Sequence, residues 1–389
     1  MKHLLWFAQV ALHADRDRLN AGRHPTRTPQ EHLAAAAQWL LRAQQATDDD
    51  GVAHSYDARR NRWIASYPET TGYVIPTLCD YADYGGDPRY RDAALRMARW
   101  EVAVQQPDGG VRAGTMATRP AVSTVFNTGQ VLFGLERALR ETGEPLFRDA
   151  LVRAADWLLQ AQDPDGCWRR FQSPLTTTRR ATYNTRTAFG LVRAYQATAD
   201  ARYLQAADRN VAWALSTAHA NGWLPDNCLG RHRDDRALTH TIAYALRGFL
   251  EVGAATGNRG YLDQARRMAR AMAQAQAADG SLPGYCDPQW RGAVAWTCVT
   301  GNSQMAVNWL RLAQVDGDER WIAHAVAANR YNMSLQHLAT ANDNVRGALK
   351  GSHPLGAAYM PWRYPNWATK FFMDALMLET RPPNAAPAG

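Results

Sequence analysis

Four side chains suited to proton transfer or anion binding recur at similar positions along this 389-residue chain. Glu69, Arg186 and His240 each stand next to a threonine, and Tyr244 follows His240 by about one helical turn. A carboxyl group and an imidazole can act as general acids or bases, and a guanidinium holds a carboxylate in a planar fork. The set predicts a catalytic site assembled from several parts of the chain.

The neighbouring threonines mark an internal repeat. Thr71, Thr128, Thr185 and Thr241 are separated by 57, 57 and 56 residues, and each opens an apolar stretch with helical periodicity. A period of this size is too long for one helix and suits a helical hairpin with its connections. We expect Thr70, Thr128, Thr185 and Thr241 to cap these helices, because threonine is a favourable N-cap residue. The residues beside them, which differ between copies, then carry the chemistry.

Two classes of helix alternate along the sequence. Amphipathic outer helices, rich in alanine and arginine, are predicted at about 29–46, 88–106, 146–162, 201–218, 259–277 and 318–338. More apolar inner helices begin near 69, 124, 182, 238, 297 and 365. A helix that is apolar around most of its circumference is buried. The chain is therefore predicted to be an all-α (α/α)6 toroid over residues 26–380, with an N-terminal arm at 1–25 and a disordered tail at 381–389.

The turns from outer to inner helices share a glutamine followed by Asp-Gly, a pair that tolerates the positive φ of a tight turn. Copies occur at Gln105 with Asp108-Gly109, Gln162 with Asp165-Gly166, and Gln276 with Asp279-Gly280. These hairpins resemble the repeats of the squalene cyclase and prenyltransferase toroids, and also the six-hairpin glycosidase superfamily of hydrolases, lyases and sugar epimerases. The resemblance implies a toroid whose site lies where the inner helices begin. It leaves the reaction open.

Alignment of the repeats predicts which side chains meet at that mouth. Tyrosine and tryptophan are expected there because each pairs a flat apolar face with a hydrogen-bonding edge, which suits sugars. The residues expected to contact the substrate are Tyr73, Asn127, Gln130, Tyr183, Asn184, Trp296, Asn302, Gln304, His353, Trp367 and Lys370.

Hydrolysis of a glycosidic bond is the first predicted mechanism. It generally uses two carboxyl groups, about 5–5.5 Å apart in retaining enzymes and about 6.5–9.5 Å apart in inverting ones. Glu69 supplies one, and Asp226 or Asp287 from the loops that precede inner helices could supply the other.

Elimination or C5 epimerisation of a uronic acid is the close alternative. Here Arg186 would neutralise the substrate carboxylate, and His240 or Tyr244 would take the neighbouring proton. Together with Asn184 these residues resemble the Asn, His, Tyr and Arg constellation of toroidal polysaccharide lyases. We therefore expect a carbohydrate-active enzyme for an anionic, uronate-containing glycan, most readily a glycoside hydrolase. A terpene cyclase-like toroid and a noncatalytic glycan-binding toroid also stay open.

Composition narrows the function further. The net charge of +8 comes almost entirely from arginine, which is spread over the outer helices without a nucleic-acid-binding motif. Five scattered cysteines without a CxxC or HExxH motif predict reduced thiols and neither a metal nor another cofactor. No apolar run is long enough to span a membrane. The sequence favours a cytoplasmic enzyme and leaves its oligomeric state open.

Overall fold

Twelve α-helices, arranged as six hairpins, make up most of the computed structural model, which describes residues 27–229 and 235–381. The outer helices are α1 (Pro29–Gln45), α3 (Pro88–Val104), α5 (Pro145–Ala161), α7 (Ala201–Ser216), α9 (Arg259–Gln274) and α11 (Arg320–Leu335). The inner helices are α2 (Pro68–Gly85), α4 (Val125–Thr142), α6 (Thr185–Thr198), α8 (Thr239–Thr256), α10 (Val299–Asp316) and α12 (Asn366–Thr380). None of these helices is both long and apolar enough to cross a membrane.

The inner helices form a closed ring. Each packs against the next, and α12 packs against α2 and α1. The predicted all-α toroid is thus confirmed, and the helices lie close to their predicted bounds. The predicted arm, and the predicted tail beyond residue 381, lie outside the described residues.

Short strands fasten the loops at one end of the ring. They are β1 (Ser55–Asp57), β2 (Arg62–Trp63), β3 (Ala237–Leu238), β4 (Tyr285–Cys286), β5 (Thr297–Cys298), β6 (Ser352–His353) and β7 (Arg363–Pro365). All pairs are antiparallel: β2–β1–β7 forms one sheet, and β3–β4 and β5–β6 form two others. The pairing of β1 with β7 joins the first hairpin to the last at this end.

The repeated glutamine and Asp-Gly turn connects three of the outer helices to the next outer helix. Gln162 Nε2 donates to the carbonyl oxygens of Gly166, at 3.1 Å, and of Ala206 on α7, at 2.9 Å. Gly166 has a φ of 89°, and a Cβ there would lie 2.3 Å from the carbonyl oxygen of Arg209. The motif therefore links consecutive outer helices by hydrogen bonds. Gln105 and Gln276 make equivalent pairs of bonds.

The repeat threonines do not cap their helices, so that prediction is wrong. α2, α4, α6 and α8 have no side-chain hydrogen bond at the N-cap. Instead, Thr128 Oγ1 donates to the carbonyl of Thr124 at 2.7 Å and accepts from the amide of Val111 at 2.9 Å. A threonine one turn inside a helix reaches back to the preceding turn in this way. Further hydroxyls that donate to a carbonyl three residues back are those of Thr70, Thr185 and Thr241.

Neighbouring inner helices run parallel and touch backbone to backbone at glycines. A Cβ on Gly134 of α4 would lie 2.3 Å from the carbonyl oxygen of Gly72 on α2, and one on Gly190 of α6 would lie 2.5 Å from that of Gly129. Each contact joins a glycine of one helix to the preceding helix about one turn nearer that helix's N-terminus. The N-termini of the inner helices consequently converge at one mouth of the ring.

Substitution of Gly134 by alanine should destabilise the ring. We expect Gly134→Ala to lower the free energy of unfolding by about 1–3 kcal/mol, the usual cost of overpacking. Gly85→Ala is the control, because Gly85 ends α2 with no backbone atom near the new methyl group and should be neutral or slightly stabilising. Urea denaturation followed by circular dichroism measures both. Equal stability of the two variants would contradict the close approach.

Candidate active site

A pocket of about 110 Å³ opens at the mouth where the inner helices begin. Its wall is mostly aromatic, with a few groups that can exchange or hold a proton. The lining residues are His54, Tyr67, Glu69, Tyr73, Phe126, Ser173, Leu175, Tyr183, Leu229, His240, Thr241, Tyr244, Tyr359, Met360 and Trp367.

Glu69 is the one carboxylate among the described lining residues of the pocket. It lies in the first turn of α2, and its Oε2 accepts a short hydrogen bond from the Tyr67 hydroxyl. Burial raises the pKa of Glu69 to about 7, against the opposing effect of the Tyr67 bond. A carboxyl group in such surroundings holds its proton up to neutral pH. It can therefore serve as a general acid.

His240 lies on the inner helix α8, and a neighbouring side chain determines which of its ring nitrogens carries the hydrogen. Its Nδ1 lies 2.6 Å from Oε1 of Gln304 on α10, an acceptor, so Nδ1 carries the hydrogen. Burial lowers the pKa of His240 to about 4; the hydrogen bond with Gln304 opposes this effect in part, and repulsion from Arg186 adds a smaller lowering effect. The imidazole is consequently neutral near pH 7, and its Nε2 is a hydrogen-bond acceptor.

Three phenols complete the inner wall. The rings of His240 and Tyr244, predicted to share a helix face, have centroids 4.4 Å apart. Tyr73 on α2 is the polar neighbour of Tyr244, and burial raises the pKa of both phenols above the ordinary value. Tyr183, which precedes α6, packs edge-on against Phe126 at 5.3 Å. Neutral phenols and apolar edges suit the face and the hydroxyl rim of a sugar.

Part of the wall was not predicted because it comes from loop residues. His54 packs edge-on against Trp367 at 4.7 Å and lies 5.2 Å from the ring of Tyr67. Tyr359, from the long loop before α12, accepts a hydrogen bond from Trp367 Nε1 at 2.8 Å. Its ring stands 5.5 Å from that of His240. For Tyr67, its position two residues before Glu69 is the feature of the sequence that could have placed it in the pocket.

Arg186 and Lys370 lie beneath the pocket and do not line it. The Arg186 guanidinium stacks over Phe133 at 4.3 Å, and its Nε donates to Gln130 Oε1 at 3.4 Å. The Lys370 ammonium bonds the carboxylate of Asp374 and lies over Phe371 at 4.3 Å. Both cations belong to a second, smaller cavity on the ring axis.

The two loop carboxylates stand outside the described lining of the pocket and have other partners. Asp226 accepts from Thr178 Oγ1 at 2.8 Å and pairs with Arg180 at 3.1 Å. Asp287 pairs with Arg291 at 2.8 Å. Burial raises the pKa of Asp287, but hydrogen bonds from Arg291 and Gln289 outweigh it and lower the pKa overall. The structure does not bring these aspartates together with Glu69.

Several predicted contact residues are engaged in the framework. Asn127 Nδ2 donates to the carbonyl of Arg112 at 3.0 Å, and Asn302 Nδ2 donates to Asn332 at 3.0 Å. Four more lie outside the pocket lining: Gln130, whose amide faces the Phe126 carbonyl, Asn184, which bonds Gln172, Trp296, which packs on Tyr285, and His353, which packs near Tyr331. Within the described residues, no group of three or more potential metal ligands is present.

Residues 27–281, about two thirds of the chain, match the family described as "Beta-L-arabinofuranosidase, GH127 catalytic domain". The chain belongs to this family. The expectation of a carbohydrate-active enzyme of the glycoside hydrolase type is therefore confirmed. No curated protein sequence matches the chain.

Solved structures of similar fold include several sugar-processing toroids. The unsaturated glucuronyl hydrolase of Bacillus sp. GL1 is 17% identical, with a TM-score of 0.72 over 91% of this chain and 97% of that one. Cellobiose 2-epimerase from Bacillus thermoamylovorans is 10% identical, with a TM-score of 0.68 over 89% and 97%. The GH76 α-mannanase of Bacteroides thetaiotaomicron is 16% identical, with a TM-score of 0.62 over 90% and 98%. At these identities the likeness shows the fold alone, and it confirms the six-hairpin toroid.

Replacement of Gln304 by glutamate should change the protonation of His240. We expect Gln304→Glu to raise the pKa of His240 by about 1–3 units, because a carboxylate beside the imidazole favours its cation. Gln304→Met is the control and should not raise it, since the hydrogen bond that favours the cation is lost. Histidine NMR titration, with His240→Asn for assignment, measures the shift. An unchanged pKa in Gln304→Glu would contradict the assigned contact.

Proposed function

We propose that the protein is an exo-acting glycoside hydrolase in which Glu69 protonates the departing oxygen of a terminal sugar. The observation that carries the proposal is a carboxyl group with a pKa of about 7 inside an aromatic pocket. Membership of a glycosidase family supplies the reaction class. General acids work best when their pKa lies near the working pH.

The hydrogen bond from Tyr67 gives the two carboxyl oxygens of Glu69 different roles. Oε2 accepts from the phenol, so the proton of the neutral acid belongs on Oε1, which no described residue engages. A glycosidic oxygen at Oε1 would receive that proton as the bond to the sugar breaks. The negative charge left on Glu69 is then stabilised by the Tyr67 hydroxyl, because a hydrogen bond to a charged acceptor is stronger than one to a neutral acceptor.

Water activation falls to His240 in this proposal. Most glycosidases use a second carboxylate for this step. Glu69 is, however, the one carboxylate in the described lining of the pocket. The Nε2 atom of the neutral imidazole can accept a proton or a hydrogen bond from water, while Gln304 holds the ring from behind. Asp226 and Asp287 would need to leave their arginine partners to take this role.

A small neutral sugar is the substrate class that the pocket favours. The pocket is small, and no lysine or arginine stands among the described lining residues. The family description makes a β-L-arabinofuranoside the first compound to test. A uronate, as expected from the sequence, stays a second prediction. One observation in its favour is Arg186 below the pocket, whose positive charge acts on the pKa of His240. Another is the fold shared with unsaturated glucuronyl hydrolases.

Sugar epimerisation is the alternative with an observation in its favour. A neutral histidine with a free Nε2 atom could remove a proton from a carbon beside a carbonyl, with Glu69 as its partner acid. Cellobiose 2-epimerase shares the fold. Incubation of reducing sugars in deuterated water separates the two reactions, because deuterium enters the sugar carbon only during epimerisation.

Removal of the Glu69 proton should abolish hydrolysis. We expect Glu69→Gln to lower kcat on aryl glycosides by about 10²–10⁴-fold, the contribution of a general acid. The assay compares aryl β-L-arabinofuranoside, other neutral aryl glycosides and an unsaturated glucuronyl disaccharide. Glu136→Gln is the control, because Glu136 is an inner-helix glutamate outside the pocket. Full activity of Glu69→Gln would refute the proposal, whichever sugar is cleaved.

The pH profile should follow the two shifted groups. Glu69 must be protonated, so kcat/KM should fall as pH rises through about 7. His240 must be neutral, so kcat/KM should fall as pH drops through about 4. Both limbs refer to the free enzyme. A profile that is flat between pH 5 and 9 would be inconsistent with Glu69 as the acid.

A further inference from the structure

A second cavity lies on the ring axis below the sugar pocket, between the middle and later turns of the inner helices. Its volume is about 40 Å³. Tyr73 lines both cavities and forms part of the partition between them. Four cations line this lower cavity, which we name the axial cavity: Arg186, Arg247, Arg311 and Lys370.

Arg186 is the cation of the axial cavity that lacks an acidic partner. Its residue is 6% exposed, and no carboxylate of the described residues lies within ion-pair distance. Among the described residues its one polar bond is the 3.4 Å contact with Gln130, and the rings of Phe133, Phe189 and Tyr244 lie around its guanidinium. A buried charge without a counter-ion is costly. An anion in the cavity would remove that cost.

The remaining charges do not balance either. Arg247 and Arg311 share a single acid, Glu251, at 2.8 Å and 2.9 Å. Lys370 is paired one to one with Asp374. The other acid of the lining, Asp80, is bound by the buried Arg137. Four lining cations therefore face two acids, Glu251 and Asp374, which leaves an excess of two positive charges around the cavity.

We propose that the axial cavity binds a compact inorganic dianion, of the size and charge of hydrogenphosphate or sulfate, with Arg186 as its principal ligand. An arginine can hold two oxygens of such an oxyanion in its fork. The excess of two positive charges matches a dianion and exceeds what chloride would neutralise. Arg311, 24% exposed at its side chain, stands where the cavity meets solvent and provides a route of entry.

Titration calorimetry of the intact protein with sodium phosphate, at an ionic strength fixed by sodium chloride, tests the site. We expect saturable one-to-one binding that sulfate displaces. Arg186→Gln should weaken it at least tenfold, because it removes the unpaired cation. Arg320→Gln should bind as the native protein does, since Arg320 is a 90% exposed arginine of α11 far from the ring axis.

Failure of the native protein to bind, or equal binding by Arg186→Gln and Arg320→Gln, would overturn the proposal. Arg311→Gln is the second variant, should Arg186→Gln fail to fold, and its binding should weaken several-fold. A crystal grown with selenate gives the position directly: an anomalous peak beside Arg186 supports the site, and peaks only on the outer surface overturn it. None of these readouts depends on glycosidase activity, so the site and the proposed hydrolysis can fail separately.

Discussion

The close approach of parallel inner helices is the constraint on which the rest of the molecule depends. Where Gly134 meets the Gly72 carbonyl, no side chain separates the two helices. The same contact recurs between Gly190 and Gly129. Six helices packed this tightly leave a narrow axis, and their first turns converge on one mouth. A wider ring would separate Glu69 from His240 and admit bulk water between them.

Confinement on this axis also explains the electrostatics. Burial is the largest cause of the shifted pKa at both Glu69 and His240, and it acts in opposite directions on an acid and a base. The glutamate is held neutral towards pH 7 and the histidine is held neutral above pH 4. A proton donor and a proton acceptor thus coexist in one pocket without an ion pair between them. Below the pocket the same confinement leaves Arg186 charged and without a counter-ion among the described residues.

Much of this arrangement follows from the sequence alone. The helix bounds could be predicted because apolar periodicity records which face each helix buries, and the repeat fixes how many hairpins there are. Glu69, His240 and Tyr244 were predicted at the mouth, and the structure places them there, since helix register carries a first-turn residue to a known end. Whether they catalyse the reaction is tested by the variants above and not by the fold.

The other features of the site could not be predicted, because they depend on side-chain reach and loop paths that helix register does not specify. The threonines were expected to be caps, but they lie between the first and the fourth residue of their helices and bond backward to carbonyls. Arg186 belongs to a first turn, yet its long side chain reaches down the axis to Phe133. Tyr359 enters the pocket from a loop whose path no periodicity describes.

The central claim is that Glu69 keeps its proton to near-neutral pH inside the pocket. Carbon-13 NMR of protein labelled at the glutamate carboxyl carbons measures this directly, with the Glu69 signal identified by its absence in Glu69→Gln. A midpoint near pH 7 is the result that the structure predicts. A midpoint near the ordinary value of 4.5 would contradict the account, because Glu69 would then be an anion at neutral pH and could not donate a proton.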